Sequence, residues 1–218
     1  ITYLNGKAER YVRPLAEELG AEIIEPLDVN YPDQETALFE VIRDKWGALD
    51  ILLHSIAYCP KEDLNGRVID CSSDGFQIAM NTSVHSFLRL IRHAEPLMLH
   101  GGTCMTVTFY GSEEVVADYN IMGPVKAALE SVTRYAAAEL GDKMISVNAL
   151  SPGPLATRAA SGIAHFDAML EDASKRAPTH QLATIEDIGA YAAFLASSEA
   201  RNVTGAVHKI DGGYSIMG

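Results

Sequence analysis

Short apolar, β-branched runs alternate along this chain with longer amphipathic ones, and few folds accept that order. ITYL is followed by GKAERYVRPLAEELG, AEIIEPLDV by DQETALFEVIRDKWG, and LDILLHSIA by a long helical pattern around Gly75 to Leu99. The strand TCMTVTFY, the helix that carries Lys126, the strand MISVNALSPG, the helix TIEDIGAYAAFLAS and a last strand AVHKIDGG complete the series. Parallel strands need helical crossovers, so the pattern predicts the α/β class, a doubly wound parallel sheet in three layers with helices on both faces. A length of 218 residues, 48% of them hydrophobic, suits one large domain over 1–218. No repeat, low-complexity tract or linker breaks it. Only the stretch from about 154 to 181 lacks a clear strand, and an insertion beyond a strand's carboxyl end is where such folds build ligand sites.

Ligands of open parallel sheets bind beyond the carboxyl ends of the strands, which here read LDV, HSIAYC, TFYG and SPGPLAT. Asp28 there offers an acceptor to an adenine amine or caps the next helix. The small residues of Ser55-Ile56-Ala57 let a flat ring lie close to the backbone, or serve tight strand–helix packing. Ser151-Pro152-Gly153-Pro154 forces a turn, and Thr157 beyond it offers a hydroxyl and a helix start to a phosphate or amide. A dinucleotide fold of Rossmann type also opens with a strand and a glycine-rich turn. ITYLNGK instead reads as the second strand of the usual 3-2-1-4-5-6 order, so the first strand and its turn are missing. Two half-sheets with unpaired inner edges are expected, as part of a longer chain with an N-terminal βα unit; the alternative is a short form with no nucleotide site.

The charge balance, 29 acidic against 17 basic residues and a net charge of -12, argues against nucleic acid and anionic membrane as partners. Cys59, Cys71 and Cys104 show neither metal-ligand spacing nor a disulfide framework, which fits small buried hydrophobes in a reducing cytoplasm. No apolar run reaches the roughly 18 residues that span a bilayer.

DYNIMGPVK, 118–126, sets Tyr119 seven positions before Lys126. On a helix that spacing returns both side chains to within about 20° of one face, roughly 10 Å apart, where a phenol and an ammonium meet one elongated ligand. The plain alternative is an amphipathic helix with a half-buried tyrosine and a lysine reaching solvent. Pro124 is tolerable if the regular helix begins near Asn120, which places Tyr119 at or just before the first turn.

HSIAY, YNIMGPVKAALE, SVNALSPGPLATRAASGI, TIEDIG and IDGGYSIMG together resemble the NADH-dependent enoyl-[acyl-carrier-protein] reductases, a divergent branch of the short-chain dehydrogenase/reductases. Six residues separate tyrosine from lysine in that branch, against three in ordinary members, whose tyrosine would fall at Met122. The resemblance implies Tyr119 and Lys126 as catalytic pair, with Lys126 also on the nicotinamide ribose. It implies a cofactor site of Asp28, Val29, Ser55, Ile56, Ala57, Leu155, Ala156, Thr157, Arg158 and Ala159. For the acyl substrate it implies Cys59, Tyr119, Met122, Ile163, Phe166 and Met169, where ordinary core is the alternative for the apolar four. It further implies NADH as cofactor, with NADPH open because Leu4-Asn5 lacks the acidic selector and Lys7 and Arg10 lie near. Acyl carrier protein as partner, a homotetramer and a cytoplasmic setting complete the implication. Phe109 replaces the family's usual outer tyrosine, and adjacent Tyr110 faces the other way on an extended chain. GIAHFDAML lacks the usual basic residues, leaving Lys175 and Arg176 as substitutes for meeting an acidic carrier. A reductase of a small enone or carbonyl, and a nucleotide-binding scaffold without catalysis, are the rival functions.

Overall fold

The computed structural model describes residues 1–155 and 166–217, without the side chains of Phe166, Asp167 and Met169. Its parallel sheet comes in two pieces. Strands β1 (Thr2–Tyr3) and β2 (Glu25–Pro26) pair with each other, and β3 (Ile51–His54), β4 (Gly102–Val107), β5 (Ile145–Pro152) and β6 (Val207–Ile210) pair in that order. The two half-sheets are those the sequence predicts. Ile51 and Leu53 on β3 stand 47% and 52% exposed, so that edge is apolar as well as unpaired.

The helices are α1 (Gly6–Glu18), α2 (Pro32–Trp46), α3 (Lys61–Leu64), α4 (Ser73–Met80), α5 (Ser86–Ala94), α6 (Met122–Leu140), α7 (Phe166–Arg176) and α8 (Ile185–Leu195). Asn5 starts α1 by accepting from the Lys7 and Ala8 N–H groups, and a capping box of Thr184 with Asp187 starts α8. Strand alternation then sorts side chains into two cores. Cys104 and Val147 join the large core beneath α2, α5 and α6, while Met105 and Leu150 join the smaller one beneath α8. Every residue of β5 is buried, as a central parallel strand covered on both faces must be.

Two elements differ from the sequence reading. The long pattern from Gly75 is interrupted by a π-helical turn, Asn81–His85, between α4 and α5. The strandless stretch after Pro154 contains α7. An ion pair ties α5 to α2 and to the loop after β2: Arg89 bonds Glu35 through Nε at 3.0 Å and also donates to the Val29 carbonyl. Glu35 is 1% exposed, so the pair is a buried clamp between α2 and α5 beside the loop that follows β2.

Candidate active site

Beyond Val107 the chain runs through Thr108 to Ser112, a turn pressed against the start of α6. A Cβ on Gly123 would stand 2.8 Å from the Gly111 carbonyl, and one on Gly111 would stand 2.7 Å from Cδ1 of Tyr119. Glycine is therefore required on both sides where turn, ring and helix meet. Tyr119 sits between Asp118 and Asn120, both in left-handed backbone at φ 61° and 46°, which Asp and Asn accept more readily than other side chains. The Asn120 amide also donates to the Leu64 carbonyl at 2.6 Å, tying this turn to α3.

The regular helix begins at Met122 rather than near Asn120, so Tyr119 and Lys126 do not share one helix face. The phenol is delivered by the turn and the ammonium by the second turn of α6. Pro124 is the third residue of α6, where a backbone N–H has no helical acceptor to lose. It therefore breaks no hydrogen bond.

Tyr119 is 8% exposed, and its ring meets Phe109 edge-on at 5.0 Å. Burial, and after it the charge of Glu130, pushes the phenol above its ordinary value, so at neutral pH it is a proton donor. Lys126 is 6% exposed and donates to the Val107 carbonyl at 2.8 Å. Burial pulls it down to about 8 against the opposing pull of Glu130, which leaves the ammonium form in the majority at neutral pH. Glu130 itself is buried and accepts at Oε1 from the Thr108 and Ser112 hydroxyls, at 2.7 and 2.6 Å. Sequence reading passed over it, although a glutamate four residues after Lys126 on the same buried helix face was the available signal.

The π-helical turn holds the other strand ends. Thr82 donates to Asn30 after β2, and the Ser83 hydroxyl accepts from the Tyr58 N–H and returns a bond to the Tyr58 carbonyl after β3. Ser86, one residue on, donates to the Thr82 carbonyl, so the His54 Nε2–H must donate to the Ser86 hydroxyl at 2.8 Å while Nδ1 accepts from Thr106. Burial, aided by Lys126, drives His54 down to about 3, so the ring is a neutral pin. Extra residues in a helix commonly mark functional ground, and here one turn fixes loops that leave two different strands, β2 and β3.

The candidate residues are distributed as follows. Val29 is buried and Asp28 half-buried; the Asp28 carboxylate accepts from the Asn30 N–H and amide, so it caps no helix, and Tyr31 occupies that place. Ser55 and Ala57 are exposed and Ile56 half-buried just past β3, and Leu155 is half-buried past β5. Met122 lies in the large core at 6% exposed, and Cys59 beside it at 9% with its thiol pushed up to about 11 by burial. The Cys59 thiol therefore stays protonated at neutral pH. Ala156, Thr157, Arg158, Ala159 and Ile163 lie outside the described residues, and Phe166 and Met169 are described only as backbone of α7. Tyr110 turns away from Phe109's partner Tyr119 to reach the Tyr214 hydroxyl at 3.3 Å, so it does not stand in for an outer tyrosine. Lys175 and Arg176 pair with Glu171 and Asp172 one turn back on α7, which weakens both as free cations for a carrier.

Comparison with known proteins points the same way. A family model described as enoyl-(acyl carrier protein) reductase matches residues 1–215. A relative from Rickettsia conorii, named enoyl-[acyl-carrier-protein] reductase [NADH], is 43% identical over 217 residues, covering 100% of this chain and 84% of its own. The structure of the reductase from Anaplasma phagocytophilum in complex with NAD superposes with a TM-score of 0.95 at 40% identity, over 100% of this chain and 83% of that one. The Bacillus cereus reductase with NADP+ and an indole naphthyridinone gives 0.96 at 40% identity, over 100% and 85%. Among the described residues no helix is long and apolar enough to cross a membrane.

Proposed function

The chain belongs to the enoyl-(acyl carrier protein) reductase family, and from that premise we propose that it reduces the 2,3 double bond of enoyl thioesters carried on acyl carrier protein, in fatty-acid synthesis. The single observation that carries the reading is the placement of Tyr119: a buried, protonated phenol on the Gly111 floor, while Met122, at an ordinary family tyrosine's position, has no hydroxyl to donate. The residues present fit a nicotinamide dinucleotide. Exposed small residues follow β3, a buried ammonium stands at the end of β4, and Gly153-Pro154 follow β5.

NADH, when bound, supplies hydride to the β-carbon of the enoyl group. Lys126 would hold the nicotinamide ribose hydroxyls, and Asp28, Val29, Ser55 to Ala57 and Leu155 to Ala159 would border the rest of the dinucleotide. Tyr119 would donate to the thioester oxygen as it gains negative charge. A preorganised donor in a dry site contributes on the order of 3 kcal/mol to such a step. Because the phenol is held protonated, no base has to act first. Lys126 adds a positive field behind that oxygen. Cys59, Met122, Ile163, Phe166 and Met169 would wall the acyl chain. The protein would work in the cytoplasm as a homo-oligomer, a tetramer in this reading, with a net charge of -12 that gives little electrostatic steering toward an acidic carrier.

The test is NADH oxidation by the whole protein with crotonyl thioester on carrier protein, on coenzyme A, and with a simple ketone, repeated with NADPH because a related structure holds NADP+. Preference for the carrier thioester supports the reading. Activity on the ketone alone makes it a carbonyl reductase, and NADH binding without turnover of any substrate makes it a scaffold.

A further inference from the structure

Glu130 is a buried carboxylate that the mechanism above does not use. It stands one helical turn after Lys126 on α6, so the two are neighbours on one face. Among the described residues its hydrogen bonds come from two neutral hydroxyls, Thr108 and Ser112, and no ion pair within 4.0 Å engages it. A buried charge satisfied only by neutral groups is costly unless an opposite charge stands nearby. Lys126 is that charge; among the described residues its ammonium bonds the Val107 carbonyl alone. The two hydroxyls flank Phe109-Tyr110-Gly111, whose glycine underlies the Tyr119 ring.

We propose that Glu130 is a positioning residue for the catalytic pair: its carboxylate is the counter-charge of Lys126, and its two hydroxyl bonds hold the 108–112 turn beneath Tyr119. The inference rests on the functional reading above only in taking NADH as the ligand of Lys126. The titratable groups coupled to Lys126 are Glu130 on its own helix and His54 from β3. Tyr119 titrates above its ordinary value and His54 near 3, so neither changes charge between about pH 6 and pH 10. Lys126, at about 8, is the group that does.

The experiment is NADH binding to the whole protein, followed by the nucleotide's fluorescence from about pH 6 to pH 10. Affinity falls with a midpoint near that of Lys126. Loss of an opposite charge at close range moves a pKa by ~1–3 units, so Glu130→Gln moves the midpoint acidward by at least about one unit. Thr108→Val and Ser112→Ala keep the carboxylate and leave the midpoint in place. A Glu130→Gln midpoint that coincides with the unmodified protein's, or an equal shift in the two hydroxyl variants, overturns the proposal. Thermal unfolding without nucleotide decides it if Glu130→Gln folds poorly: the double variant Glu130→Gln with Lys126→Met, which removes both charges, is then more stable than Glu130→Gln alone. A double variant no more stable than the single one overturns it too. Unmodified protein that binds no NADH at any pH refutes the functional reading and this role together, whereas binding with an unmoved midpoint refutes the role alone.

Discussion

Replacing Gly111 by alanine tests the placement of Tyr119 without touching the phenol. The new Cβ would stand 2.7 Å from Cδ1 and 3.0 Å from Cε1 of the ring, and 3.4 Å from Cδ1 of Phe109. Carbon atoms pack at about 3.5–4.0 Å, so the ring must retreat by on the order of 1 Å. Phe109 bounds it on one side, and with Tyr119 only 8% exposed there is little free space on the others. Overpacking of this kind costs about 1–3 kcal/mol, or some 2–12 °C in melting temperature at this size. The backbone at Gly111 is not left-handed, so the strain comes from the side chain alone. A misplacement of ~1 Å in a catalytic group can lower turnover about a hundredfold. Steady-state turnover of an enoyl thioester at saturating NADH, beside NADH affinity by fluorescence, separates the effects: kcat falls by roughly that factor while affinity stays within about twofold, since Lys126 is untouched. Turnover within about threefold of the unmodified enzyme would mean that the ring's position does not govern the chemistry, and the argument from the Gly111 floor would be wrong.

Tyr119→Phe removes one donor to a developing charge and lowers kcat by about a hundredfold or more with little change in NADH affinity, whereas Lys126→Ala weakens NADH binding; equal loss of affinity in both variants contradicts the separate roles. Glu35→Ala strands Arg89 against α2 and costs about 3–5 kcal/mol in denaturant unfolding, while Glu35→Met with Arg89→Met is close to neutral. Equal costs for the single and double variants would show that the pair is no clamp. Acid stability follows His54, whose pKa in the folded protein is about 3 against an ordinary 6.5. The unfolded chain takes up a proton below pH 6.5 that the folded one refuses until about 3, so stability is lost as pH falls through that window, by up to about 5 kcal/mol at its lower end. His54→Gln flattens that part of the stability-pH curve; an unchanged slope would assign the acid loss to other groups.

The strands and their parallel order were legible because every crossover helix announces itself by period and each central strand by continuous burial. The split sheet was legible too, since ITYLNGK could be placed in a strand order. Other features turn on geometry that a residue string does not carry. An amphipathic period tolerates one extra residue, so the π-helical turn at Asn81–His85 left no mark in the pattern. Nothing in DYN states that Asp118 and Asn120 are left-handed, and only that fact moves Tyr119 off the face of α6. Pro124 was the nearest clue, because a proline three residues into a helix locates the helix start behind it. Met122 reads from its spacing as substrate wall or as ordinary core, a choice that packing makes and spacing cannot. Glu130 and the Glu35–Arg89 pair were hidden for a common reason: a charged residue on a buried helix face looks like a solvated one until its partner from a distant element is in place.

The central claim is that this chain's residues direct hydride to a carbon–carbon double bond rather than to a carbonyl. The direct measurement is the fate of deuterium from NADH labelled at nicotinamide C4, after turnover with an enoyl thioester on acyl carrier protein, read by mass spectrometry and carbon-resolved NMR of the product. Deuterium on the β-carbon of a saturated acyl thioester is the predicted result. Deuterium on a carbinol carbon, or an unlabelled product with the double bond intact, would contradict it.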